Sequence, residues 1–215
     1  MRLELGSAVQ CTDASFGELA DVVIDPLSRR ITHLVVQPHH HPEEARLVPV
    51  GRARDDGNAI ALDCSVADVE TLERVRESAY LRLGEFPVAD PDWEIGIEDV
   101  MALPLYQDPD SFATAVDVDP HVFVSYDRIP KHTVEIRRSS AVTSADGHHL
   151  GHVDGFLVSV DGSADIVLER GHLWGRREVV IPAASVAEVE DDAITLSLTK
   201  DEAGALAARR VHRWF

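Results

Sequence analysis

The stretch SAVQCTDASFGELADVVID, residues 7–25, is written a second time as SAVTSADGHHLGHVDGFLVS, residues 140–159. Both open on Ser-Ala-Val, pass through a polar turn and reach an apolar residue followed by glycine (Phe16-Gly17, Leu150-Gly151). Alternating apolar positions follow. ITHLVVQ (31–37) matches DIVLER (165–170), and RLVPVGRARDDGNAIAL (46–62) matches VVIPAASVAEVEDDAITL (179–196). Val142 follows Val9 by 133 positions, Gly151 follows Gly17 by 134, Pro182 follows Pro49 by 133 and Ile194 follows Ile60 by 134. Anchors this steady across a whole half mark a duplication. The spacing is too long for a solenoid of stacked repeats. Two copies of one domain, separated by an insertion, are therefore expected.

Each copy reads as all-β. Val22, Ile24 and Ile31 alternate with polar neighbours in the first copy, and Val153, Phe156 and Val158 do so less strictly in the second. Turn signals recur every few residues: DASFG, DPLSRR, PHHHPEE and DDGN, then ADGHHLG, SVDGSAD, WGRR and EDD. Strands this short and this few cannot build two well-covered sheets, and curling one sheet into a small barrel hides its edges. Both copies end on a helix start. Ser65 precedes VADVETLERVRE with Asp68 three residues on, and Thr199 precedes Glu202 by three in TKDEAGALAARRV. Val66, Val69, Leu72 and Val75 predict a helical stripe through the first segment, and AARRVHRWF is expected to continue the second helix, its cations suited to a helix C-terminus. The expected organisation is a first barrel with its helix (1–83), an ordered acidic, proline-rich connector (84–133) and a second barrel with its helix (134–215). Trp93, Phe112, Phe123 and Tyr126 argue that the connector packs, because free linkers carry few aromatics.

Charge narrows the partners. The chain of 215 residues has 38 acidic and 20 basic side chains and a formal net charge of -18. Residues 65–133 alone carry 15 acidic against 5 basic. Such a field repels nucleic-acid phosphates and anionic membrane surfaces. The first residues, MRLELGSAVQC, lack the apolar stretch of a secretion signal, and no run approaches the ~18 apolar residues of a membrane span. A cytoplasmic protein is expected. Cys11 and Cys64 cannot build a disulfide framework or a metal motif, and read as an inert pair within the first barrel.

Three stretches carry candidate chemistry. SADGHHLGHVDG places His148, His149 and His152 between Asp146 and Asp154. The equivalent turn of the first copy, TDASFGELAD, has no histidine, so the turn does not need imidazoles. His39, His40 and His41, with Glu43 and Glu44, could ligate a transition metal weakly, although Pro38 and Pro42 also suit a solvated loop. The third stretch, RGHLWGRREV, puts His172, Trp174, Arg176 and Arg177 at a hairpin tip, and tryptophan and arginine concentrate binding energy at protein interfaces. No nucleophile elbow, P-loop, dinucleotide fingerprint or H-E-x-x-H motif occurs. No catalytic residue, metal or cofactor is therefore assigned.

The polar turn, apolar-Gly pair, alternating strand and Pro-containing strand, closed by D-x-x-I-x-L, resemble the PRC-barrel domain. That family is named after the cytoplasmic domain of the photosynthetic reaction-centre H subunit and includes the C-terminal domain of the ribosome maturation factor RimM. The resemblance runs through Val9, Gly17, Ile24, Val35, Pro49, Ile60 and Leu62, and again through Val142, Gly151, Val158, Val167, Pro182, Asp192, Ile194 and Leu196. RRSSAVTSADGHHLGHVDGFLV and RGHLWGRREVVIP are also similar to uncharacterised tandem PRC-barrel proteins of actinobacteria. The resemblance implies small barrels that act as adaptors contacting other proteins. A metal- or small-ligand-binding sensor using the histidine loops is the alternative. A duplicated barrel is its own pseudo-dimer, and a homodimer of the whole chain stays open.

Overall fold

The computed structural model describes residues 1–57, 59–82, 91–101, 121–160, 162–170, 177–190, 192–206 and 208–210. The first copy contains β1 (Arg2–Glu4), β2 (Ala8–Gln10), β3 (Ser15–Asp25), β4 (Arg30–Gln37), β5 (Arg46–Pro49), β6 (Ala53–Asp55), β7 (Ile60–Leu62) and α1 (Val66–Glu70). β8 (Arg76–Arg82), at the end of the segment 1–83, joins β9 (Trp93–Met101) and β10 (His121–Pro130) of the connector, so the inserted layer begins before residue 84. The second copy contains β11 (Val134–Arg137), β12 (Ala141–Thr143), β13 (His149–Val158), β14 (Ala164–Arg170), β15 (Arg177–Ile181), β16 (Val186–Glu190), β17 (Ala193–Leu196), α2 (Lys200–Ala205) and β18 (Ala208–Arg210). The protein is all-β with short helices, and each copy curls one sheet into a half-barrel.

The duplication is visible in the registers. β2 runs parallel to β7 with Val9 opposite Ile60, and β12 runs parallel to β17 with Val142 opposite Ile194. Val9 faces Gly17 across the antiparallel β2–β3 pair, as Val142 faces Gly151 across β12–β13. Ser65 and Thr199 cap their helices with reciprocal bonds to Asp68 and Glu202. Asp13 Oδ1 accepts the amide of Val66 at 2.9 Å, and Asp146 Oδ1 accepts that of Lys200 at 3.0 Å.

The copies exchange their first strands. β1 pairs with β13 of the second copy, with Leu3 opposite Phe156, while β11 pairs with β3 of the first, with Ile136 opposite Val22. Leu3, Phe156, Ile136 and Val22 are all fully buried in one hydrophobic core that draws on both copies. The hairpin tips also meet: Arg30 bridges Ser163, its counterpart 133 positions later. Gly155 permits the exchange on the second copy, because a Cβ there would lie 2.2 Å from the carbonyl oxygen of Leu3. Gly155→Ala is accordingly expected to lower stability by about 1–3 kcal/mol in chemical denaturation, the usual range for overpacking. Hydrogen exchange at Leu5, whose amide donates to Asp154 O, should accelerate most.

The insertion forms a three-stranded antiparallel sheet, ordered β8-β10-β9, on the outer face of the first half-barrel. A second apolar cluster of Val23, Val35, Ala45, Leu47, Val75 and Ile129 glues the layers, with Trp93 packed beside it. Successive strand residues point to opposite faces. Val22 therefore serves the main core while Val23 serves this one, which explains the unbroken apolar run in β3.

Two expectations fail. The helical stripe stops at Glu70: Val69 is buried, but Val75 lies in extended chain leading into β8 and belongs to the second cluster. Leu72 and Val75 fit a helix period, yet covering the outer face of β3 and β4 needs a strand partner for β10. The C-terminal helix likewise ends at Ala205, and Ala208–Arg210 pairs with β15 as a strand, covering a sheet edge. Residues 84–90 and 102–120 of the connector, including Phe112, lie outside the described residues. So do Val211, His212, Arg213, Trp214 and Phe215.

Candidate functional site

Where the insertion meets the first half-barrel, the apolar layer gives way to buried charge. Asp21 on β3 is 8% exposed, Asp127 on β10 is 1% and Glu135 on β11 is 0%. Asp21 shares the outward face of β3 with Val23, and Glu135 stands opposite Val23 across the strand pair. The three carboxyl groups offer oxygen atoms within 4.8 Å of one another. Two arginines answer them. Arg76 Nε donates to Asp127 Oδ1 at 3.0 Å, and Arg137 Nη2 donates to Asp127 Oδ2 at 3.0 Å. Arg76 is the strand neighbour of Asp127, whereas Arg137 comes from the opposed layer, so Asp127 pins the insertion to the half-barrel.

The network reaches the second copy. The amide of Arg137 donates to Ser140 Oγ at 2.8 Å, and Ser140 Oγ donates to Asp192 Oδ1 at 2.8 Å. Arg138 ion-pairs with buried Asp154 at 3.2 Å. Burial pushes the Asp21 carboxyl up to about 7; Arg137 and Arg76 oppose that rise, while Asp127 and Asp192 add to it. Asp21 and Arg137 open onto a shallow depression of about 540 Å³, lined also by Ala20, Arg138, Ser139 and His152.

The anticipated sites fare differently. His148 approaches Asp146 at 3.3 Å, His149 and His152 stack edge to face with centroids 4.9 Å apart, and His152 Nδ1 lies 2.8 Å from Ser139 O. Asp146 is occupied in capping α2, as Asp13 caps α1, so this turn is a fold element that the second copy decorates with imidazoles. In the PHHHPEE loop, His39 and His40 sit 6.5 Å apart, and His41 Nδ1 is 3.0 Å from Glu43 Oε1. Ligand atoms of His41, Glu43 and Glu44 fall within 4.8 Å, all on the exposed surface. His172, Trp174 and Arg176 lie outside the described residues, as does the side chain of Arg177. Cys11 and Cys64 are free thiols, and desolvation, then the neighbouring Cys64, raises Cys11 to about 11. A thiol so rarely ionised is a poor nucleophile.

The buried carboxylates escape sequence reasoning because three particular acids among 38 carry no signature. The available signal is positional: Asp21 interrupts a strand whose neighbours are apolar on both faces, and Glu135 answers Arg2 in the other copy.

The profile of the family DUF2171, described as an uncharacterized protein conserved in bacteria, matches residues 136–204, most of the second copy. No curated protein matches the chain. No helix among the described residues is long and apolar enough to cross a membrane.

Proposed function

We propose that the chain is a non-catalytic protein-interaction module built from two PRC-type barrels, acting as an adaptor in the cytoplasm. One observation carries the reading. Leu27 and Val160, 92% and 110% exposed, occupy equivalent hairpin tips drawn together by the Arg30–Ser163 bridge. Two large apolar side chains held in water at matched positions suit contact with a partner. The carboxylate–arginine cluster supports this reading, since Asp127, paired with both Arg76 and Arg137, is committed to holding layers together. With a net charge of -18, a basic partner surface is favoured.

Affinity purification of the tagged chain from its own cells should recover one protein at fixed stoichiometry, with recovery falling as salt rises. Leu27→Ser with Val160→Ser should lose it while keeping the wild-type melting temperature. The sequence-derived surface is tested beside it by Trp174→Ala with Arg176→Ala. Absence of any stoichiometric partner, or a measurable turnover, defeats the reading. A second reading, a weak metal sensor, draws on the proximity of His41, Glu43 and Glu44. Substoichiometric metal in protein purified without a histidine tag disposes of it.

A further inference from the structure

Arg46 is out of place in the duplicated pattern. It opens β5, faces the same way as core residue Val48, and is only 7% exposed. Its Nε and Nη1 are buried and have no hydrogen-bond partner among the described residues. The second copy fills the same position with Val179, which is 3% exposed and belongs to the main core. The registers confirm the equivalence: Arg46 bridges Arg74 antiparallel, as Val179 pairs with Ala208. The half-barrel therefore does not need an arginine here.

Leaving two guanidinium nitrogens buried and unpaired is unfavourable, and a chain with 38 acids has ample means to avoid it. Glu44 and Glu70 lie near enough to attract Arg46, but neither ion-pairs with it. Burial, followed by the adjacent Arg74, outweighs both and holds the Arg46 guanidinium below its usual value. Arg74 places a second positive charge directly across the bridge from Arg46, which sets two cations side by side in a chain that is acidic as a whole. A planar guanidinium fork beside a second, exposed arginine matches the geometry of a compact oxyanion.

We propose that Arg46 and Arg74, beside α1 at the end of the first half-barrel, form a binding site for a small oxyanion, a phosphate or carboxylate group. The site is independent of the interaction surface proposed above and sits in one copy only.

The test is thermal unfolding of the full chain in inorganic phosphate or in acetate, each against chloride at matched ionic strength. The better anion should raise the melting temperature by about 2–4 °C at saturating concentration. Whichever anion acts identifies the group. Arg46→Val, which installs the second copy's residue, should melt in chloride at or above wild type and lose the anion response. Arg74→Ala, changing an exposed residue, should at least halve it. The proposal is overturned if neither anion shifts the wild type, or if Arg46→Val still responds. Should Arg46→Val fail to fold, an unchanged response in Arg74→Ala overturns it instead, and a halved one supports it.

Discussion

Asp127→Ala is expected to destabilise the protein by about 3 kcal/mol, the low end of what breaking a buried ion pair does. Asp127 is 1% exposed and receives Arg76 at 3.0 Å and Arg137 at 3.0 Å. Removing its carboxylate leaves two guanidiniums in the interface with side chains only 25% and 19% exposed. Their residual contact with water keeps the loss below that of a fully sealed pair. The arginines come from opposed layers, so the damage should be directional. The sheet of β8, β9 and β10 should loosen from the half-barrel before the main core opens. Denaturant titration measures the loss, and hydrogen exchange should show protection falling in β10 ahead of β3. A double-mutant cycle with Arg137→Met should return a coupling above about 1 kcal/mol. Uniform loss of protection across both copies, or negligible coupling, would refute the role of Asp127 as a pin.

Asp21→Asn should do the opposite and stabilise the protein at alkaline pH. The folded carboxyl titrates at about 7, against roughly 3.9 in an unfolded chain. The folded state therefore binds the proton more tightly. Stability from this group is complete below about pH 4, declines as pH rises from 4 to 7, and is absent above 7. The gap between the folded and unfolded values bounds the effect at roughly 4 kcal/mol. Water entering from the shallow depression beside Asp21, and adjustment of Arg76 and Arg137, should reduce it to about 2 kcal/mol. Asparagine cannot ionise. The variant should equal or trail the wild type at pH 4.5 and exceed it by about 1–2 kcal/mol at pH 8. Carboxylates whose values are lowered by hydrogen bonds, such as Asp25, Asp55 and Asp68, lose stabilisation in acid in both proteins, so their effect cancels in the difference. Parallel stability curves for the two proteins between pH 4.5 and 8 would show that Asp21 is not the titrating group.

Much of this architecture is legible in the residues. Val9, Gly17, Pro49 and Ile60 recur as Val142, Gly151, Pro182 and Ile194, and each pair occupies the same position in its copy. The capping boxes at Ser65 and Thr199 form as written, because a hydroxyl and a carboxylate three residues apart complete one another locally. Helix length was not legible. Leu72 and Val75 satisfy a period of three or four as readily as they lead into a strand. Val75 is extended because its backbone bonds to Ala45 and Arg128, residues distant in sequence.

Local pattern decided the strand content, the turns, the caps and the duplication, since each depends on neighbours within a few residues. Tertiary structure alone decided which half-barrel each first strand joins. β1 and β11 hold equivalent positions in their copies but carry opposite charge orders, Arg2-Leu3-Glu4 against Glu135-Ile136-Arg137. The exchange places Leu3 opposite Phe156 and Ile136 opposite Val22, while Arg2 ion-pairs with Glu178 and Arg137 with Asp127. It also decided which acids matter. Asp21 on β3 meets Asp127 and Glu135 from the consecutive strands β10 and β11 much later in the chain. Burial, which sequence spacing does not encode, turns three ordinary acids into a layer-pinning cluster in which Asp21 is pushed up to about 7.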